Sequence, residues 1–361
     1  MSYVIDWWNI SLGKEEQEAV ANAIKSRKIA QGSITEEFEE KVAKFLNVPY
    51  ALAVPNGTQA LTLAYMGLGI ELGDEIIMPN RTFVATAHAG VILGARIKAI
   101  DVKDNQTINE ELLETAITCK TKVIVPVHLN GVASNMDRIL EIAKKHNIEI
   151  VEDACQAFGS KDSKGRNLGS FGRFGCFSLG LAKILTTGQG GIVVMKDKND
   201  YDRLRRIRNQ GVFDVRSENS YEIKAYNFKF NDMQASVGLV QLSKIEEKMK
   251  ASINNYKRYE EKLKGVKILK SNIENGEVPM RVLIFAKDNL ALREYLLSKG
   301  IKTSLESPSL NHCPHLNIKE EFPVSEVFNN ELLILPSGPN LELEKIDIVC
   351  NEVNKWVEEN A

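Results

Sequence analysis

Very little in this chain points to a scaffold stapled by covalent bonds or metal. Only five cysteines are present (Cys119, Cys155, Cys176, Cys313 and Cys350), an odd and scattered set without a Cys-x-x-Cys pair. That argues against a disulfide framework or a zinc knuckle and suits a reducing compartment. An excess of charge of one sign is missing too. The formal net charge of −2 offers no electrostatic footing for nucleic acid or an anionic membrane. No apolar stretch approaches the ~20 residues of a membrane-spanning helix. The opening Met1-Ser2-Tyr3-Val4-Ile5-Asp6 has no basic segment followed by an apolar one, so no secretory leader is expected. Repeats, low-complexity tracts and Ser/Gly linkers are also lacking. The expectation is a soluble, cytoplasmic protein with no nucleic-acid or membrane partner and no metal site.

What is there is ordinary globular composition, 43% hydrophobic and 26% charged over 361 residues, enough for one large domain and a smaller one. From about residue 50 to 195, short apolar β-branched runs alternate with helical patterns. Strands are predicted at 50–54, 75–78, 96–102, 122–127, 148–152, 174–178 and 191–195, and helices at 58–67, 82–93, 110–117 and 136–146. Strands that read as near-continuous apolar runs between crossover helices imply a mostly parallel sheet covered on both faces, an α/β fold. Ligands then belong at the carboxyl ends of the strands. A long helical stretch, 232–264, with room for a break, leads toward a strand at 282–285 and helices at 290–299 and 343–358. This suggests a large domain over 1–240 and a compact α+β domain over 241–361, packed firmly together. The basic run Arg203, Arg205, Arg206 and Arg208 reads as the solvated face of a surface helix rather than a phosphate patch.

Three segments carry chemistry. Between Arg173 and Lys196, Lys183 is the only charged residue. Desolvation there favours the free amine, a nucleophile toward carbonyl carbons, although a lysine snorkelling from a surface turn has the same sequence. In Ile150-Val-Glu152-Asp153-Ala-Cys-Gln156, two carboxylates end an apolar strand. Asp153 is the one placed to hold a protonated pyridine nitrogen, or alternatively to cap the next helix. Glu152 alternates to the other side and reads as structural. In Val54-Pro-Asn56-Gly57-Thr58, a glycine turn opens a helix, so backbone N–H groups at the positive end of the dipole offer a phosphate site; a simple N-cap looks alike.

In this order the segments resemble the DegT/DnrJ-type aminotransferases, which act on nucleotide-linked keto sugars and belong to the aspartate aminotransferase (type I) fold. The matching motifs are Asn56-Gly57-Thr58, Thr82-Phe83-x-Ala-Thr86, Glu152-Asp153-Ala-x-Gln156-Ala157 and the run from Phe177 through Lys183 to Gly191, and the likeness extends from about Ser11 to the final helix. The resemblance implies a type I pyridoxal-phosphate (PLP)-dependent transferase fold, with a mostly parallel seven-stranded sheet flanked by helices and a smaller C-terminal α+β domain. It implies PLP held as a Schiff base on Lys183, with Asp153 at the pyridine nitrogen and Gln156 beside the phenolic oxygen. Gly57, Thr58 and Ser178 then hold the phosphate, and Phe83 stacks on the ring. Asn227, in Ala225-Tyr-Asn-Phe-Lys-Phe-Asn-Asp232, matches an asparagine that crosses to the neighbouring subunit's phosphate, which implies a homodimer with shared active sites. The implied reaction is ping-pong transamination, with glutamate as donor and a keto sugar as acceptor.

Four departures bear on the acceptor: Leu179-Gly-Leu-Ala182 before the lysine, Gln189 within the glycine run, Lys229 for the family's arginine, and Arg281 beside the strand at 282–285. Arg281 reads as a surface arginine or as an anion contact, in which case a small phosphorylated ketone rivals the sugar. Lys183 itself sets aside the family's dehydratase branch, where histidine replaces it. Gly67-Leu-Gly69 lacks the third glycine of a dinucleotide fingerprint. His312, Cys313 and His315, interrupted by Pro314, read as a loop with incidental histidines, although His312 could reach the mouth of the active site. His128 stands at the crevice edge, either touching substrate or satisfied within its loop. A non-catalytic PLP-binding regulator is the remaining alternative, disfavoured by an intact Lys183, Asp153 and Thr58.

Overall fold

The structure is a computed structural model that describes residues 4–10, 12–214 and 220–360. Met1, Ser2 and Tyr3, read above for a leader, and Ser11, where the resemblance begins, lie outside them. Seven strands form the larger sheet: β1 (Tyr50–Val54), β2 (Glu75–Pro79), β3 (Arg96–Ile100), β4 (Thr121–Ile124), β5 (Glu149–Asp153), β6 (Phe174–Ser178) and β7 (Gly191–Met195). Their order is β1-β7-β6-β5-β4-β2-β3. Only β7 runs antiparallel to its neighbours, so the other six end at one edge. Around them lie α1 (Lys14–Lys25), α2 (Ser33–Leu46), α3 (Gly57–Leu68), α4 (Ala85–Val91), α5 (Leu113–Ala116), α6 (Met136–His146), α7 (Lys198–Arg208), α8 (Asp232–Ser243) and α9 (Ile245–Lys262). A second, antiparallel sheet of β8 (Lys267–Ile268), β9 (Val282–Phe285) and β10 (Leu332–Leu335) carries α10 (Asn289–Ser298), α11 (Pro323–Glu331) and α12 (Leu343–Asn360).

Period-two alternation explains the two covered faces of the large sheet. In β1, Leu52 and Val54 join a core with Ala60, Leu61 and Ala64 of α3 and Leu204 of α7. Ala51 and Ala53 face the opposite core with Phe38, Val42 and Leu46 of α2. Toward the other end, Ile77, Ile124 and Ile150 meet Ile139 and Ile142 of α6. Phe38, Val42 and Leu46 are fully buried, each contributing roughly 1.5–3 kcal/mol. A third core gathers Tyr256, Tyr259 and residues beyond them, plus Ile5. The N-terminal segment reaches it because Ile5 pairs with the backbone of Gly300 and Lys302.

Several elements differ from the sequence-based expectation. The helix expected at 82–93 starts only at Ala85, because Asn80 and Arg81 are drawn into buried contacts with the loop at 307–311. The stretch 232–264, by contrast, is helical as expected, with the break it left room for at Lys244. The segment 110–117 is a 3₁₀ turn followed by the single turn α5. Arg208 is not solvated: its guanidinium turns inward to Glu39 Oε1 at 2.5 Å and Ala53 O at 2.9 Å.

Candidate active site

Five parallel strands release their chains into one cavity of about 310 Å³ at the carboxyl edge of the sheet, the expected place for a ligand and within the usual size of a small-molecule site, roughly 300–1,000 Å³. After β1 come Gly57 and Thr58, after β2 Phe83, at the end of β5 Asp153 and Gln156, and from β6 onward Ser178 and Lys183. These seven expected residues all line the cavity. Asn227 does not line it; it is exposed and accepts the Lys229 N–H at 3.3 Å.

The floor is built for an anion. Asn56 caps α3, its Oδ1 taking the Gln59 N–H at 2.9 Å, while its carbonyl takes that of Ala60. The N–H groups of Gly57 and Thr58 precede the first intrahelical bond and point out of the helix start. A Cβ at Gly57 would stand 2.9 Å from Ser178 Cβ and 3.0 Å from Cys155 Sγ, so only glycine leaves this floor open. Phe83, 54% exposed, forms the mouth.

Lys183 is partly buried, and among the described residues no hydrogen bond or ion pair holds its ammonium. Loss of water and the nearby Arg281 charge push its pKa down to about 8, against the pull of Asp153 and Glu306. Asp153 is 5% exposed and doubly held: Thr86 Oγ1 donates to Oδ2 at 2.6 Å and the Cys155 N–H to Oδ1 at 3.1 Å. Thr82, ahead of α4, and Thr86, in its first turn, share a further bond at 2.7 Å. Glu152 faces away from the cavity, as alternation requires. It accepts the N–H groups of Gly169, Phe171 and Gly172 at 2.8, 2.6 and 2.7 Å. His128 Nε2 lies 3.0 Å from Glu152 Oε2, and its Nδ1 accepts the Ser134 N–H at 3.3 Å. The Nε2 proton is therefore donated to Glu152. His128 borders the cavity with both ring nitrogens engaged, a loop strut rather than a free base.

Gln156 is oriented by a residue that sequence reasoning missed. Asn130, at φ +53°, donates its N–H to Gln156 Oε1 at 2.9 Å, leaving the Gln156 NH2 end to face the cavity. The Asn130 amide also grips Arg281, accepting its N–H at 2.7 Å and donating to its carbonyl at 2.9 Å. Gly131, at φ +81°, completes this corner, where a Cβ would sit 2.2 Å from the Val278 carbonyl oxygen. Arg281 is thereby set in the cavity wall, not on the surface, and pairs with Glu306 at 3.3 Å. Arg81 and Glu306 were also missed, and Thr86 entered only as part of the motif Thr82-Phe83-x-Ala-Thr86, without a role. His312 lies elsewhere, paired with Glu326 at 2.7 Å, and His315 meets His88 at 2.7 Å. Among the described residues no group of three or more His, Cys, Asp or Glu side chains is placed to hold a metal ion.

This arrangement fits pyridoxal phosphate: a free amine, a buried carboxylate, a hydrogen-bond donor and an anion cradle at a helix start, all in one cavity. The family model for the DegT/DnrJ/EryC1/StrS aminotransferases matches residues 10–354. The GDP-perosamine synthase of Escherichia coli O157:H7 is 33% identical over 354 residues, covering 96% of each chain. The dTDP-3-amino-3,4,6-trideoxy-alpha-D-glucose transaminase of Streptomyces venezuelae is 32% identical, covering 96% of this chain and 93% of that one. A crystal structure of S. venezuelae DesV in complex with a ketimine intermediate superposes with a TM-score of 0.89 at 31% identity, over 95% of this chain and 94% of that one.

Proposed function

Because the chain belongs to the DegT/DnrJ/EryC1/StrS aminotransferase family, we propose that it moves an amino group from glutamate to the keto carbon of a nucleotide-linked sugar. It is a PLP-dependent aminotransferase of the α/β class. The observation that carries the reading is the unpaired, partly desolvated amine of Lys183 in the same cavity as Asp153 and the open start of α3.

When bound, pyridoxal phosphate supplies an electron sink for the carbanion formed at the donor's α carbon. The chain's own residues do the rest. Lys183 would anchor the cofactor through its amine, and the same amine, once free, is the group placed to take a proton from the donor's α carbon and deliver one to the cofactor carbon on the other side of the transferred nitrogen, general acid–base work suited to a pKa near neutrality. Asp153, oriented by Thr86 and by the Cys155 N–H, holds the protonated ring nitrogen. Gln156 presents an N–H to the phenolic oxygen, and Phe83 covers the ring. Gly57, Thr58 and Ser178 hold the phosphate.

The names of the relatives favour a nucleotide-linked sugar over a small phosphorylated ketone as acceptor. A homodimer with shared sites is part of the proposal. It is supported by Asn227 standing outside the cavity and by the exposed aromatics Tyr221 and Tyr226 close to it in the chain. The division into 1–240 and 241–361 is supported by the third core, drawn mostly from residue 256 onward. No helix among the described residues is long and apolar enough to cross a membrane.

The test is an absorbance titration of the holoenzyme with glutamate, followed by a panel of nucleotide-linked keto sugars and dihydroxyacetone phosphate. Glutamate should bleach the visible cofactor band, and a keto sugar should restore it with release of the amino sugar. Restoration by the small ketone alone would overturn the acceptor class. A band that no amino acid bleaches would overturn transamination.

A further inference from the structure

Two guanidinium groups, Arg81 and Arg281, flank a single carboxylate, Glu306, in the wall of the cavity that holds Lys183. They are not equivalent. Arg81 is 2% exposed and its donors are engaged: Gln106 Oε1 at 3.3 Å, the Ser307 carbonyl at 3.0 Å and Asn329 Oδ1 at 2.7 Å. Arg281 is held through its backbone by Asn130, and its guanidinium carbon lies 5.9 Å from the centre of the Trp7 ring. Of its five N–H donors, one reaches Glu306 Oε1 at 3.3 Å. Its Nε–H is buried and finds no acceptor among the described residues. A buried charged group with an unmet donor calls for an explanation, and a ligand that brings acceptor oxygens is one. Two guanidiniums against one carboxylate also leave this wall one positive charge in excess.

We propose that Arg281 receives the α-carboxylate of the amino donor. The inference rests on the transamination reading above and adds the place where the donor is recognised. In any α-amino acid the reacting nitrogen and the carboxylate share one carbon. A donor whose amine reaches the Lys183 position therefore brings a carboxylate within two bonds of it. A nucleotide-linked sugar carries its diphosphate several bonds from its keto carbon, so its anion site belongs nearer the mouth. Arg281 and Lys183 line the same cavity together with Asp153 and Gln156, so the guanidinium opens onto the space in which the donor's amine must react. A planar fork matches the two oxygens of a carboxylate. Glu306 sets the selectivity: it holds the fork in the wall and repels a carboxylate that approaches from its own side.

The test separates the two half-reactions in holoenzyme carrying Arg281→Gln. The Asn130 clamp engages only backbone atoms of Arg281, so the substitution leaves it in place, and unchanged far-UV circular dichroism with full cofactor occupancy checks folding. The first probe is α-methylglutamate, which has no α hydrogen to lose and so reports binding alone through the spectrum. The second is bleaching by glutamate. The third is restoration of the band by the keto sugar that wild type accepts. Expected is a rise of roughly 10- to 100-fold in the α-methylglutamate dissociation constant and in half-saturating glutamate, the loss of one charged hydrogen-bonding contact. The keto-sugar half-reaction should keep its wild-type concentration dependence. Arg281→Lys, which keeps the charge without the fork, should fall between. A weakened sugar step with donor binding intact would overturn the assignment and make Arg281 a sugar contact. No change in either step would overturn it as well. Wild-type enzyme that no amino acid bleaches would defeat the transamination reading itself, a separate failure visible before any variant is made.

Discussion

Covalent capture of the cofactor requires a neutral amine, and Lys183 is set to supply one at a pH where ordinary lysines do not. Its pKa is pushed from 10.5 to about 8 by burial and by Arg281. A shift of that size means that at pH 7 about one amine in ten is neutral instead of about one in three thousand, roughly a 300-fold gain in reactive form. Apoenzyme mixed with pyridoxal phosphate in a stopped-flow absorbance experiment should therefore react about tenfold faster per pH unit up to pH 8, then level off. The reagent's own titration is removed by running Nα-acetyl-lysine alongside. Arg281→Gln takes away the second cause of the depression, so its levelling point should move upward toward 10.5. A wild-type rate that climbs without a plateau to pH 10, as the free lysine does, would refute the reasoning. So would a plateau that ignores the removal of Arg281.

Other substitutions test the remaining supports. Gly57→Ala places a methyl group 2.9 Å from Ser178 Cβ and should weaken cofactor binding roughly 10- to 100-fold in equilibrium dialysis, with the fold intact by circular dichroism. Thr86→Val removes the 2.6 Å bond to Asp153; kcat should fall about tenfold, the loss of about one charged hydrogen bond, while cofactor occupancy is kept. Glu152→Ala strips the acceptor from three N–H groups and His128 and should cost roughly 3–5 kcal/mol in urea unfolding, a loss of stability rather than of chemistry.

Most strands were legible because each is a short apolar run with both faces buried, although Lys98 interrupts β3 and Lys122 interrupts β4. The carboxyl-edge rule pointed to Asp153, the glycine turn to Gly57 and the isolated charge to Lys183, whereas Ser178 followed only from the resemblance to the family. What escaped depends on pairings far apart in the chain. Arg208 reads as a surface residue until Glu39, on α2, meets it. Arg281 reads the same way until Glu306 and Asn130 converge on it. Asn130 carries no pattern at all, since its role follows from a left-handed backbone and contacts on both sides of the cavity. The first two helices were passed over because α2 is rich in charge, and Phe38, Val42 and Leu46 disclose their face only when its spacing is counted over the full helix. The N-terminal segment reaches the third core through backbone bonds from Ile5 to Gly300 and Lys302, just after α10, which side-chain patterns do not record.

The central claim is that Lys183 holds the cofactor, and the most direct measurement is hydride trapping followed by peptide mapping. Holoenzyme treated with borohydride, digested and analysed by mass spectrometry should carry the phosphopyridoxyl group on Lys183 in the peptide that follows Arg173, and Lys183→Ala should carry none. The mass on another lysine, or wild-type protein that takes up none, would contradict the account.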